Sequence, residues 1–448
     1  MFSGKRYFLV TLGCHRNEVE SDLIRSFLSK RGLIESRKIE DSDIVIVNTC
    51  GFIKEACDEA IDTILEIDEI RSSSSKKFPI LVLGCMGERY RGGLLQAMPE
   101  ISCVLGVDWP NELEPALSNL LTKKSYEQKK HSKGIKKLRR EIDSSENATL
   151  FVRISDGCSN SCTFCTIPRI RGPYRSRNPR DICEEIERLA GGRKREVVLL
   201  AQDSTRYGSD LPGGWNLAKL TRRISQIENV HWLRLLYLQP DGVNEDLIDE
   251  IANNPKVCKY LDIPFQHASE KVLKRMGRRG CGKEYLELIS LIRKKSPEVA
   301  IRTTIMVGFP GEQDEDFDSL LNFVKEARFD WLGLFIFSPE EGTPASKFKH
   351  KVTKEIAQMR YDKIAYVQEE ISQEHAQDMM GRKLEITIDG GADIDYYDFV
   401  GRSYREAPEV DGLIYIERTK KGKGLMTGDF LMVEITGQEG LDLVGKIQ

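Results

Sequence analysis

"DGCSNSCTFC", residues Asp156–Cys165, sets three cysteines at i, i+4 and i+7 and supplies no fourth. Thiolates with gaps of three and two residues, on a loop after a strand-like run, are the donor set of an iron–sulfur cluster. Four irons ordinarily take four cysteines, so three leave one iron with an open coordination position. In zinc sites a closed shell is structural, and an open one accepts a further ligand. The plainer readings are a zinc site short of a ligand or a chance grouping of thiols. Gly157 before the run and the aromatic Phe164 inside it weigh against chance.

Outward from this loop, residues 149 to about 350 alternate strand-like and helical stretches. The apolar runs are "LFVRIS", "EVVLLAQD", "HWLRLLYL", "KYLDIPF", "IRTTIMVGF" and "LGLFIFS". Six parallel strands with helical crossovers predict an incomplete barrel. Residues 1 to about 122 show the rhythm again: "YFLVTL", "DIVIVN" and "PILVLG" are separated by the helical patterns "ESDLIRSFLSKRG" and "EACDEAIDTILEIDEI". That predicts a parallel sheet covered by helices. Between the two, residues 123–148 have few large apolar side chains and many lysines, as a linker or mobile loop would. An amphipathic helix over about 353–380 leads to short alternating runs, "KLEITID", "GLIYIER" and "FLMVEIT", with Gly and Asp turns. These read as a small antiparallel β-barrel. The expected fold class is α/β in four parts. They are an N-terminal parallel-sheet domain (1–122), a basic linker (123–148), a central partial (β/α)6 TIM-like barrel with its connecting helix (149–380), and the C-terminal barrel (381–448).

A chain of 448 residues, 40% apolar, 31% charged and of net charge −3, fits a multidomain globular protein. That charge points neither to general nucleic-acid binding nor to membrane adhesion. No apolar run approaches the roughly 20 residues that span a bilayer. The opening "KRYFLVTLGC" has an apolar stretch of about seven residues, at the bottom of the secretory range. The expectation is a cytoplasmic protein without a membrane partner, whose eleven cysteines are ligands or reactive groups, not disulfides.

Three of those cysteines end the three N-terminal strands: Cys14 in "VTLGC", Cys50 in "VNTC" and Cys85 in "LVLGC". Ligands of an open parallel sheet gather at the carboxyl ends of its strands, so these distant residues are expected to converge. Each borders a glycine, which permits close backbone approach. Three unrelated buried thiols are the alternative, since free cysteine buries readily; repetition at one structural station speaks against it. Cys57, Cys103, Cys183, Cys258 and Cys281 fit neither pattern and read as core or incidental.

C-x-x-x-C-x-x-C with an aromatic before its last cysteine resembles the radical S-adenosyl-L-methionine (AdoMet) superfamily. The resemblance implies a 4Fe-4S cluster on Cys158, Cys162 and Cys165 whose open iron chelates the amino and carboxylate groups of AdoMet. An electron from that cluster would then cleave AdoMet to a deoxyadenosyl radical. Cys14, Cys50 and Cys85 match, residue by residue, the N-terminal domain of the methylthiotransferases, which implies a second 4Fe-4S cluster.

One branch of that family modifies an isopentenylated adenosine beside the tRNA anticodon. The other adds methylthio to the β-carbon of an aspartate in small-subunit ribosomal protein S twelve. "NTCGFI", "AQDSTRYG", "YLQPDG", "YLDIPFQHAS", "RTTIMVGFPGE", "FSPEEGTPA" and "GRSYREAPEVDG" are similar to the ribosomal-protein branch, and the tail to its TRAM barrel. Gly381 to Gln448 carry 13 Asp/Glu against nine Lys/Arg, a net −4. A domain that grips tRNA should be basic; an acidic one suits a basic ribosomal protein. The tail and "GRSYREAPEVDG" are therefore expected to dock a protein loop. Residues 123–140, at net +8, read as a solvated loop open to transient ribosomal RNA contact.

The family mechanism uses one AdoMet to methylate sulfide at the auxiliary cluster and another for the radical. An unactivated C–H is too weak an acid for a positioned base, so the chemistry belongs to the cofactors. The resemblance places Phe164, Met306 and Gly308 near the adenine, and strand-end Gln202 and Asp203 near polar AdoMet atoms or as strand caps. Arg171, Arg175 and Arg302 are candidates for the substrate carboxylate, which a guanidinium matches bidentately. An electron donor such as flavodoxin or ferredoxin and a sulfur donor are implied partners. An iron–sulfur electron carrier or ribosome-binding sensor is the non-enzymatic alternative, disfavoured by an open iron inside a barrel.

Overall fold

The computed structural model describes residues 2–122, 138–141, 149–419, 422 and 424–448. The chain divides into two compact units. The first is Met1–Ile142 with Gly157–Ser159 and Cys165–Pro173; the second is Asp143–Asp156, Asn160–Phe164 and Tyr174–Gln448.

In the first unit five parallel strands, β1 (Arg6–Thr11), β2 (Ile34–Glu35), β3 (Ile44–Thr49), β4 (Ile80–Gly84) and β5 (Cys103–Val104), lie in the order 2-1-3-4-5. Helices α1 (His15–Ser29), α2 (Lys54–Ser73), α3 (Cys85–Ala97) and α4 (Leu113–Leu121) cover it. The two-residue period of the strands splits the core. Ile44, Ile46, Leu81 and Leu83 pack with Ile24, Phe27 and Leu117 on one face; Val45, Val47, Ile80 and Val82 pack with Ile64, Ile67 and Met86 on the other. In this strand order the topological switch falls between β1 and β3, where ligands bind outside the carboxyl ends.

Most of the expected linker, residues 123–137 and 142–148, lies outside the described residues. The piece between, Leu138–Glu141, is packed onto the first unit, unlike a spacer. Leu138 joins the core, Arg140 is buried near Asp22, and the Glu141 N–H donates to Ser26 Oγ at 2.7 Å.

The second unit holds the six expected parallel strands: β6 (Thr149–Arg153), β9 (Arg195–Leu200), β10 (Val230–Leu235), β11 (Tyr260–Asp262), β12 (Ala300–Val307) and β13 (Trp331–Ile336). A small ladder, β7 (Ser155–Asp156) against β8 (Arg175–Ser176), follows β6, with helix α5 (Ile167–Arg171) between them in sequence. The barrel is two three-stranded sheets, β6-β9-β10 and β11-β12-β13. Between them run a Leu233–Val257 bridge and a Leu238 N–H to Asp262 carbonyl bond. The helix Lys354–Met379 leads into a closed barrel of β14 (Lys383–Gly391), β15 (Tyr397–Ser403), β16 (Ile414–Glu417), β17 (Phe430–Glu439) and β18 (Asp442–Ile447). Its core of Ile386, Ile414, Ile416, Val433 and Ile435 also takes in Ala376 and Met379 of that helix. Among the described residues no helix is long and apolar enough to cross a membrane.

Most of "GRSYREAPEVDG" is turned inward, unlike the docking surface expected of it, and Glu409 and Val410 are its exposed residues. Arg402, Ser403, Arg405, Glu406 and Ala407 are buried against the larger barrel. Arg402 pairs with Glu196 at 3.0 Å and Asp389 at 2.6 Å, and Arg234 with Glu196 at 2.6 Å. Arg234 also donates to the Tyr404 and Ser403 carbonyls. Asp411 accepts from Tyr260 Oη at 2.7 Å and Arg302 Nε at 3.1 Å, and Arg405 pairs with Asp330. The charges face inward because each finds a partner, which lone buried charges could not afford.

Candidate functional site

Cys14 is the N-cap of α1, two residues past the Leu12 that follows β1. Cys50 directly follows β3, and Cys85 follows β4 as the first residue of α3. β1, β3 and β4 are adjacent, so the three thiols share one sheet edge. Two of them sit at helix N-termini, where the helix dipole favours a thiolate or an anionic cluster.

The neighbouring glycines make the approach possible. A Cβ on Gly13 (φ +93°) would lie 2.5 Å from Cys50 Cβ and 3.2 Å from its Sγ; one on Gly51 would lie 2.5 Å from Met86 N. Burial foremost pushes the Cys50 thiol up to about 11, opposed by the Phe52 N–H, while Cys85, Cys14 and Cys57 are near enough to add to the rise. Cys57, set aside in the sequence reading, is thus part of this thiol neighbourhood, on the first turn of α2. Cys103, Cys183 and Cys258 are buried and Cys281 half-buried.

In the second triad, Gly157 has φ +72°, and a Cβ there would lie 2.3 Å from the Pro173 carbonyl oxygen. The Cys158 N–H donates to Gly172 O at 3.1 Å, and Thr166 Oγ1 to Phe52 O at 3.1 Å, within the first unit. Residues 160–164 are held within the second. Thr163 N–H donates to Met276 O at 2.9 Å and its hydroxyl to Arg275 O at 2.8 Å. A Cβ on Gly277 would strike Ser161 O at 2.4 Å. Arg278 Nη1 lies 3.9 Å from Cys162 Sγ. Three thiols, with a loop that tolerates no Cβ at its turn, suit a cluster that takes its fourth ligand from elsewhere.

The other candidates divide. Phe164 sits edge-on to Phe309, centroids 6.5 Å apart. Gln202, just past β9, keeps a buried Oε1 with no hydrogen-bond partner among the described residues. Asp203 is taken up inside the fold, accepting from Asn160 at 2.8 Å and from Thr205. Met306 is half-buried and shares a face of β12 with Thr304 and Arg302. Gly308 (φ +74°) makes room for Ala357 of the long helix, 2.7 Å from where its Cβ would be. Arg171 is buried against Glu20 at 2.9 Å. Arg302 is held between Asp262 at 3.2 Å and Asp411. Arg175 is exposed. Sequence gave no sign of Tyr237 (φ 59°) or Gln266 (φ 69°), which follow β10 and β11 in the left-handed region. Such strain in non-glycine residues concentrates at functional sites.

Fold and thiol sets together define a radical SAM protein. Residues 152–324 match the Radical SAM superfamily, 6–106 the uncharacterized protein family UPF0004, and 380–447 the TRAM domain. A solved radical S-adenosylmethionine methyltransferase, TsrM from Kitasatospora setae, shares the fold. Its TM-score is 0.56 over 77% of this chain and 74% of that one, at 14% identity. The chain is 38% identical to ribosomal protein uS12 methylthiotransferase RimO of Acetivibrio thermocellus, covering 99% of this chain and 98% of that protein. It is 41% identical to the Clostridium kluyveri RimO, covering 98% and 97%. The chain belongs to the ribosomal protein uS12 methylthiotransferase family. Radical SAM membership implies one 4Fe-4S cluster and AdoMet.

Proposed function

We propose that this protein methylthiolates the β-carbon of an aspartate in ribosomal protein uS12, using two clusters and AdoMet. One observation carries the reading: in a chain bearing the radical thiol loop, three further cysteines end adjacent strands β1, β3 and β4 between glycines that admit no Cβ. The near-full-length likeness to uS12 methylthiotransferases supports the substrate.

When bound, the cofactors supply radical hydrogen abstraction and a methylthio group. The chain's part is to hold and orient them. Cys158, Cys162 and Cys165 would ligate the radical cluster, and Cys14, Cys50 and Cys85 the auxiliary one. Gln202 Oε1 can accept from the ammonium or a ribose hydroxyl of AdoMet, ending its isolation. Phe164 and Met306 offer apolar surface to the adenine. Of the three arginines, Arg175 is left for the substrate carboxylate, since its side chain makes no ion pair among the described residues. The reaction takes place where ribosomes are, in the cytoplasm. A one-electron donor such as flavodoxin or ferredoxin and a sulfur donor complete it, and the basic run 123–140 is the part suited to transient ribosomal RNA contact.

The test is peptide and nucleoside mass spectrometry on one culture of a deletion strain expressing this chain. A methylthio group on the uS12 aspartate is expected. Methylthio groups on tRNA isopentenyladenosine with the aspartate bare would overturn the substrate, leaving the two-cluster chemistry standing.

A further inference from the structure

Arg171 ends α5, six residues after Cys165, and is only 4% exposed. Its Nη2 donates to Glu20 Oε2 at 2.9 Å and to Cys85 Sγ at 3.1 Å. Glu20, itself buried, accepts from Trp109 Nε1 on its other oxygen at 2.8 Å. All four residues belong to the first unit. Glu20 alone would satisfy the charge of Arg171. The contact with Cys85 is a second hydrogen bond from the same nitrogen, which carries two hydrogens.

We propose that Arg171 is a positioning residue for the auxiliary cluster: fixed by Glu20 and Trp109, it donates a charge-assisted N–H···S hydrogen bond to Cys85 and raises the reduction potential of the cluster. The proposal rests on the reading of Cys14, Cys50 and Cys85 as cluster ligands. A cluster that gains one electron becomes more negative. A cation and a hydrogen bond at one of its sulfurs favour that reduced state, and in a buried site the effect is weakly screened. Glu20 opposes it, since a carboxylate behind the guanidinium disfavours the added electron. The two residues therefore act with opposite sign, which a purely structural ion pair would not do.

The experiment is an EPR-monitored dithionite titration of the full-length chain carrying Cys158→Ala, Cys162→Ala and Cys165→Ala, so that only the auxiliary cluster is read. Arg171→Gln should lower the reduced-to-oxidised ratio at the parent's midpoint at least tenfold, a shift of about 59 mV for one electron. Glu20→Gln should move it the other way. Because Arg171→Gln strands a buried carboxylate, the double variant Arg171→Gln/Glu20→Gln, with neither charge, is the control for folding; its midpoint should still lie below the parent's. Iron per chain should stay near the parent's in every variant. A parent that binds no iron would overturn the cluster reading and this inference together. A parent with a full cluster whose midpoint is unmoved in the double variant would overturn the role of Arg171 alone.

Discussion

Cys158, Cys162 and Cys165 come from eight consecutive residues of one loop, whereas Cys14, Cys50 and Cys85 are spread over 72 residues and three strand ends. The loop triad is specified by local spacing, and its shape needs glycine at Gly157 and Gly277. The strand-end triad is specified by sheet order: only because β1, β3 and β4 are neighbours do its thiols share an edge. The first can be read as a motif, the second only as a topology. The proposed division of labour follows, the loop triad for AdoMet cleavage and the strand-end triad for sulfur.

The strongest way to break this comparison is one cysteine at a time. Cys158→Ala should abolish reductive cleavage of AdoMet, read as 5′-deoxyadenosine, to below detection. Cys50→Ala should keep that cleavage near the parent rate yet insert no methylthio group. Cleavage without Cys158, or methylthiolation without Cys50, would each collapse the distinction. Next in size is the metal count. The reconstituted protein should hold about eight irons, and replacing either triad by alanine should halve them, as iron and sulfide analysis would show. A triple variant that kept full iron would remove that triad from the ligand set.

The glycines sharpen the comparison further. Gly13→Ala combines a positive φ with a Cβ 2.5 Å from Cys50. About 1–3 kcal/mol of strain should fall on the auxiliary cluster, lowering its iron while AdoMet cleavage survives. Gly157→Ala, with its Cβ 2.3 Å from Pro173 O, should do the reverse. Equal losses from both would mean that the two loops are not separately held.

Acid gives the smallest effect and separates the two units. Burial pushes His267 down to about 3, and its Nδ1 accepts from the Ser269 N–H at 3.0 Å, so it is neutral in the fold. The unfolded chain takes up that proton first. The stability His267 contributes is therefore full above about 6.5 and is lost as pH falls from there toward 3. Burial would raise Glu196, but Arg402 and Arg234 hold it down to about 2, so its contribution goes between its ordinary value and that pH. Both residues lie in the second unit. Thermal melts between pH 7 and 4 should show that unit weakening first, and His267→Gln, which keeps an acceptor for Ser269, should flatten the trend. A first unit that melts earlier would contradict this.

Much of this was legible in the chain. The six barrel strands match β6 and β9 to β13 because each is an apolar run bounded by turn residues, and the ends of the long helix fall within a residue of those expected. In the tail, "KLEITID", "GLIYIER" and "FLMVEIT" were visible as alternating strands. β15 and β18 were not, since "YDFVGRS" and "DLVGKI" are interrupted by glycine and charge. The side-chain partners were least legible. Nothing in the spacing says that Arg171 faces Cys85 or that Asp203 turns to Asn160, because such pairings depend on which loops meet. Net charge pointed to a protein substrate without showing which charges face out: Asp389, Glu406 and Asp411 are bonded inside the protein, and so are Arg402 and Arg405.

Those inward charges bear on how the molecule can be re-engineered. Cutting at residue 380 would take Arg402 from Glu196, Asp411 from Arg302 and Arg405 from Asp330, leaving Glu196 to Arg234 and Arg302 to Asp262. Removing one partner of a buried ion pair costs up to about 3–5 kcal/mol, less where a second partner remains. A chimera that borrows a C-terminal barrel from a distant relative inherits the same debt unless the donor carries matching residues at 402, 405 and 411. The tail is thus a covalent neighbour that has become a structural organ, and transplanting it means transplanting its sockets as well.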